Sequence, residues 1–330
     1  MLRDFDTPLA RRDLLRNAAA AAAALAFRVP LAACGDAGPP REAKTERLAG
    51  GTPVDPDHAR LADWTAALRA EGLSRPETPL GRAATRVGKL AAGTPYEPFT
   101  LEAYLRAGGS PSGTEPLTLS LTRFDCVTLV EACLAVGRLA DDEAAPTWER
   151  FGREVERMRY RGGERRGYTS RLHYFSEWIT DGEERGLLRD LGAELGGVED
   201  TRPLRFMTEH RGSHPALVND AVFREIGAIE RQLDGRARRV VPAERIPEVA
   251  ERIETGDVLA FATAIPGLDV THAAFAYRDE EGILRVLHAP LSGGVVEVTR
   301  ATLPEYVAAI RRSTGILVAR PLWGATHLSP

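Results

Sequence analysis

Cysteine is scarce: three in 330 residues, at Cys34, Cys126 and Cys133. Cys126 and Cys133 are seven apart on one expected helix, about 10 Å of rise, too far for a disulfide. That excludes a disulfide scaffold, and each thiol needs its own explanation. Basic excess is also missing. Net charge is −4, and no basic tract carries interleaved aromatics, which sets nucleic-acid binding aside. No apolar run is long enough to span a bilayer comfortably, which takes about 20 residues. No internal repeat is evident, so a solenoid is excluded.

Residues 1–34 read as an address. Arg11-Arg12-Asp13-Leu14-Leu15 is a twin-arginine pattern, followed by a short apolar run from Ala18 to Phe27. Leu31-Ala32-Ala33-Cys34 looks like a lipobox, with Cys34 as the lipidated residue. The expectation is an exported protein of the periplasm or cell envelope, anchored to a membrane through an N-terminal lipid. Residues 35–58 are Gly, Pro, Ala and charge without periodicity, and read as a flexible tether. The domain is expected over 59–325.

Within it, Arg123-Phe124-Asp125-Cys126 feeds a helix whose apolar and small residues recur at Cys126, Leu129, Val130, Cys133, Gly137 and Ala140. Asp125 is placed to act as N-cap. A thiol in the first turn meets free N–H groups and partial positive charge, which favour thiolate and can face an oxyanion. A lone Cys is more often a small buried hydrophobe, so the thiol needs partners. Tyr168 to Trp178 concentrates Tyr, His, Tyr, Phe and Trp in a chain only 6% aromatic. It reads either as core packing or as a platform beside a cleft, with Arg171 and His173 as polar handles.

Helical patterns dominate the first half, and Leu117–Leu121 alternates like a short strand. Strands are expected at 258–262, 270–277, 283–289, 294–299 and 315–320, with a helix at 303–312. Helices first and strands later argue α+β with an antiparallel sheet. A hairpin centred on Glu280 sets Tyr277 against Ile283 and His272 directly against His288. His272 shares a face with Ala274 and Ala276, small enough for the Cys126 helix to come close. Two imidazoles so placed can supply a base and the residue that orients it. A Cys with two His could instead bind zinc.

Phe124-Asp125-Cys126-Val127-Thr128-Leu129-Val130-Glu131, Ser170-Arg171-Leu172-His173-Tyr174 with Trp178, Gly256-Asp257-Val258, Gly267-Leu268-Asp269-Val270-Thr271-His272 and His288-Ala289 together resemble the N-acetylmuramoyl-L-alanine amidase-like group of the NlpC-like, papain-fold cysteine peptidases. The likeness runs over roughly 80–322. It implies a papain-like α+β core with the Cys helix packed on an antiparallel sheet. It implies Cys126 as nucleophile, His272 as base and acid, and His288 as orienting residue. Asp125, Arg171, His173 and Tyr174 are the expected substrate-binding residues. The substrate implied is peptidoglycan or a muropeptide, with no metal or cofactor. A helical insertion around 195–250 lies outside that core and is expected to shape the cleft. Acyl transfer at the same site, or wall binding with an idle site, are the alternatives.

Overall fold

The computed structural model describes residues 55–324, apart from 75–76, 142–143 and 292–293. The readings at Arg11-Arg12, Cys34 and most of the tether lie outside the described residues. The first helix, α1 (Pro56–Ala70), begins inside the stretch expected as tether. Pro56 suits the first helical position and the Asp55 carboxylate accepts from Asp57 N–H at 2.8 Å.

α1 and α2 (Leu80–Leu90) pack on α3 (Cys126–Asp141), the central helix. Every residue of α3 from Leu129 to Ala140 is buried. A helix covered on all sides must neutralise its charges internally. Glu131 therefore pairs with Arg159 of α4 (Trp148–Arg159) at 2.7 Å, and the Arg138 guanidinium donates to the carbonyls of Leu187 and Leu322.

Among the described residues the sheet has eight strands: β1 (Leu188–Asp190), β2 (Val198–Asp200), β3 (Arg238–Pro242), β4 (Val258–Thr263), β5 (Val270–Arg278), β6 (Leu284–His288), β7 (Glu297–Val298) and β8 (Ser313–Pro321). Their order is β2-β3-β8-β4-β5-β6-β7, with β1 also on β8, and every pairing is antiparallel. The architecture is thus α+β, as the residue pattern predicts. One face carries Ala260, Ala262, Ala273, Phe275 and Ala319 into the core shared with α3. Alanines there let the helix backbone approach. The other face carries Leu259, Phe261, Ala274, Ala276 and Val286 against Leu303 and Val307 of α7 (Leu303–Ala309). So the alanines that admit the Cys126 helix are not those that alternate with His272.

Three further expectations are corrected. Leu117–Leu121 is no strand: the Leu121 N–H donates to the Asp57 carboxylate at 2.7 Å instead of to a neighbouring chain. The 195–250 segment, which follows α5 (Phe175–Glu184), is not purely helical, since β2 and β3 extend the sheet beyond β8 around helix α6 (Asp220–Gln232). The strand expected at 294–299 shortens to β7.

Gly256 precedes β4 with φ +96°, and a Cβ there would lie 2.1 Å from the Gly81 carbonyl carbon. Only glycine permits this contact, which seats the start of α2 against the sheet.

Candidate active site

The start of α3 is organised by Asp125. Its carboxylate accepts from the Thr128 N–H at 2.8 Å, and the Asp125 N–H donates to Thr128 Oγ1 at 2.9 Å. This reciprocal cap satisfies donors that a helix start otherwise leaves free. It also fixes the backbone from which the Cys126 side chain projects. The preceding residues are clamped too: Tyr96 bridges Phe124, and Glu97 N–H donates to Phe124 O at 2.8 Å.

Cys126 is half-buried and opens into a cleft of about 530 Å³. The same cleft is lined by Asp125, Arg171, His173, Tyr174 and His272, so the tertiary structure brings these candidates from three distant segments together. The Ala273 N–H lies within hydrogen-bonding reach of the thiol, alongside those of Val127 and Cys126 itself. Burial and the neighbouring Asp125 charge nevertheless outweigh these donors and push the thiol up to about 12. The expectation of a thiol lowered by its helix start is therefore corrected: the helix N-terminus supplies donors, but desolvation wins.

His272 sits in a β-bulge. Val270 pairs with Ala262 and Ala273 with Ala260, so Thr271 and His272 share the one place opposite Phe261. The His272 ring stacks on Phe261, with centroids 5.6 Å apart. His272 is thus on the sheet face covered by α7, not the face that α3 covers, which corrects the expected placement. The Ala273 backbone that follows it turns to the thiol.

His288 also departs from the expected register. Tyr277 pairs with Arg285, not Ile283, so the hairpin is shifted by two residues. A shift of two keeps side chains on the same face, and the histidines become diagonal neighbours. Their rings still meet: His272 Nε2 and His288 Nδ1 are 2.8 Å apart. At that distance the two nitrogens bond to each other and leave no room for a metal between them. Among the described residues no group of three or more His, Cys, Asp or Glu could hold one. Both rings are 2% exposed. Burial, and then the second ring, hold His272 well below the usual histidine range; burial brings His288 down to about 4. Both are neutral at pH 7.

The other candidates are mostly occupied. Arg171 bonds Glu102 at 2.5 Å and lies 3.2 Å from Glu115. Burial raises Glu115 to about 7 despite the arginine. His173 Nε2 contacts the Tyr168 carbonyl at 2.9 Å. The Tyr174 hydroxyl donates to Glu230 of α6 at 2.7 Å and so ties the inserted segment to the core. That segment in turn contributes Phe206, Met207 and His214 to the cleft wall.

Three residues near the site went unnoticed in the sequence. Tyr96 lines the cleft, and burial, then the closeness of Cys126, raise its hydroxyl above the usual tyrosine range. Tyr306 of α7 places its hydroxyl 3.2 Å from His288 Nδ1. Glu297 faces His288 across β6–β7, with Oε1 3.9 Å from Nε2. Glu297 lies on an expected strand and Tyr306 on an expected helix, while Tyr96 lies in a turn that carries no chemical signal.

The family model for N-acetylmuramoyl-L-alanine amidase-like proteins (AmiA-like) matches residues 86–316. A crystal structure of an N-acetylmuramoyl-L-alanine amidase from Bacteroides uniformis superimposes with a TM-score of 0.66 at 29% identity, covering 73% of this chain and 98% of that one. A Bacteroides fragilis structure provisionally named a xylanase gives 0.64 at 32% identity, covering 71% and 99%. The Legionella pneumophila protein LPG0564, of the DUF1460 family, shares the fold, with a TM-score of 0.57 at 17% identity over 80% and 94%. Among curated proteins none matches. With the cleft, the capped Cys126 helix and the histidine pair in view, the match over 86–316 establishes that the chain belongs to the N-acetylmuramoyl-L-alanine amidase-like family.

Proposed function

We propose that the protein is a cysteine amidase of the cell envelope that hydrolyses an amide bond in peptidoglycan or its muropeptide fragments. One observation carries the reading. His272 gives Nε2 to His288 and keeps a buried Nδ1 without a partner, while its ring lines the cleft that Cys126 also lines. An unpaired ring nitrogen on a cleft that a thiol also lines can serve as its general base.

Because both groups are neutral at rest, the proton moves as attack occurs. Cys126 Sγ adds to the amide carbonyl while its proton passes to His272 Nδ1. The carbonyl electron pair moves to oxygen, which faces the Cys126 N–H and the Tyr96 hydroxyl. Collapse breaks the C–N bond, and His272 returns the proton to the leaving amine. Water, losing a proton to His272, then adds to the thioester carbonyl; the C–S bond breaks, the acid leaves, and Cys126 Sγ takes the proton back from His272. His288 orients His272 throughout. Asp125 supports the thiol from behind, and Arg171, His173 and Tyr174 shape the wall that receives the peptide.

The twin-arginine and lipobox patterns at Arg11-Arg12 and Cys34 support export and a lipid anchor, which put the site beside its polymer. A glycosidase reading is disfavoured. It needs a pair of free carboxyl groups, whereas Asp125 is committed to Thr128, Glu102 to Arg171 and Asp269 to the Ser176 N–H.

The test is incubation of defined muropeptides with the protein and with Cys126→Ala, reading products by mass. A free stem peptide or a cleaved stem from the parent, and none from the variant, is expected. Equal product from both would sink the mechanism. Transfer of the acyl group to an added amine instead of water would favour the acyltransferase alternative. No turnover with retained muropeptide binding would favour a binding protein.

A further inference from the structure

The candidate site leaves a second buried ring nitrogen without a hydrogen-bond partner, His288 Nε2. Its charged neighbour is Glu297, whose Oε1 lies 3.9 Å away. Glu297 stands directly opposite His288 in the β6–β7 pairing, with its side chain 55% exposed.

We propose that Glu297 is a positioning residue: its carboxylate holds His288 in the tautomer protonated on Nε2, and so leaves His288 Nδ1 bare to accept from His272. The inference rests on the reading of His272 as base.

A neutral imidazole carries one ring proton. His272 can accept the thiol proton on Nδ1 only if its own proton is on Nε2. That nitrogen points at His288 Nδ1, 2.8 Å away, which must then carry none. The proton of His288 must therefore be on Nε2. Nothing within the pair selects this arrangement. In the reverse one both protons sit on Nδ1, His288 donates to His272, and the thiol meets an N–H instead of a lone pair. The groups facing His288 are His272 from β5, Tyr306 from α7 and Glu297 from β7. The Tyr306 hydroxyl, 3.2 Å from Nδ1, can donate or accept and so selects neither state. A carboxylate only accepts, and its charge attracts the Nε2–H across 3.9 Å, a gap that a small rotation of the exposed Glu297 side chain closes. The same dipole alignment favours the imidazolium that His272 becomes during the reaction.

The test uses the full chain with ¹⁵N-labelled histidine, and long-range ¹H–¹⁵N spectra at pH 7.5 without substrate. His288 is expected protonated on Nε2 in the parent and shifted towards Nδ1–H in Glu297→Leu. Glu297→Gln, close to isosteric and keeping an acceptor oxygen, should lie between them. On a cleaved amide, kcat of Glu297→Leu should fall roughly tenfold or more, as expected for a wrong tautomer, with KM changed less than about twofold. Nδ1–H on His288 of the parent, or a tautomer unmoved in Glu297→Leu, overturns the proposal. The spectra do not depend on turnover. A shifted tautomer with hydrolysis intact therefore upholds Glu297 and counts against His272 as the base.

Discussion

His272 and His288 lie diagonally across the β5–β6 hairpin, one pair out of register from facing each other, and their ring nitrogens meet at 2.8 Å. Alternation from Ala276 and Ala274 keeps His272 on the face that carries Phe261, on which its ring stacks.

The pair should divide its labour. His272→Ala should lower kcat by roughly 10²- to 10⁴-fold, the usual worth of a positioned general base. His288→Ala should cost less, and His288→Asn should recover part of that loss, because an amide oxygen can accept from His272 Nε2. Steady-state kinetics on an amide that the parent cleaves decide this. Equal loss in His288→Ala and His288→Asn would show that hydrogen bonding to His272 is not what His288 contributes.

Cys126 should behave as a protonated thiol. With its pKa pushed up to about 12 and His272 held neutral, no preformed thiolate–imidazolium pair is expected. Iodoacetamide labelling at Cys126, read by mass, should keep rising from pH 5 to 9. Cys126→Ala serves as control for the remaining cysteines. A labelling plateau near pH 6 would show that the ion pair exists at rest.

Acid should weaken the fold. His288 takes a proton at about 4 when folded, against the ordinary 6.5 when unfolded. Between these values the unfolded chain binds more protons, so this contribution is present above pH 6.5 and is lost as pH falls towards 4. For His288 that is about 3 kcal/mol, and the lowered values of His272, His173 and His214 act in the same direction. Glu115, raised to about 7, opposes them, since the folded state protonates it first. Denaturant melts at pH 7 and pH 4.5 should show a net loss, and His288→Asn should reduce it. An equal loss in the parent and in His288→Asn would contradict a buried neutral His288.

Gly256→Ala should destabilise the fold by about 2 kcal/mol or more. It combines φ +96° with a Cβ driven into the Gly81 backbone, and backbone cannot step aside as a side chain can. Thermal melts against a substitution at the open Gly282 turn, where φ is also positive but no atom lies within 4 Å, separate the clash from the torsional strain.

Much of the architecture was legible because its signals are local. The period of apolar residues marks α3, Asp125 and Thr128 form its cap within four residues, and short apolar runs mark β4, β5 and β8. Leu117–Leu121 misled for the same reason: alternation records a chain that could pair, while the Asp57 carboxylate took its donor instead. The inserted segment misled because its strands β2 and β3 are short and lie at one end of the sheet, where little apolar patterning is needed.

The sequence by itself determined the α+β class, the capped start of the Cys126 helix and the two histidines on neighbouring strands. Periodicity of two protected the histidine pairing even when the register was off, since a slip of two returns each side chain to its face. Tertiary structure alone decided that α3 covers the opposite face, the one that carries Ala273 and Phe275, while α7 covers theirs. It alone raised the Cys126 thiol, because desolvation is a property of what packs around a group and not of its neighbours in the chain. And it alone brought Tyr96, Tyr306 and Glu297 to the site, from segments whose only relation to Cys126 is the way the sheet and helices close around it.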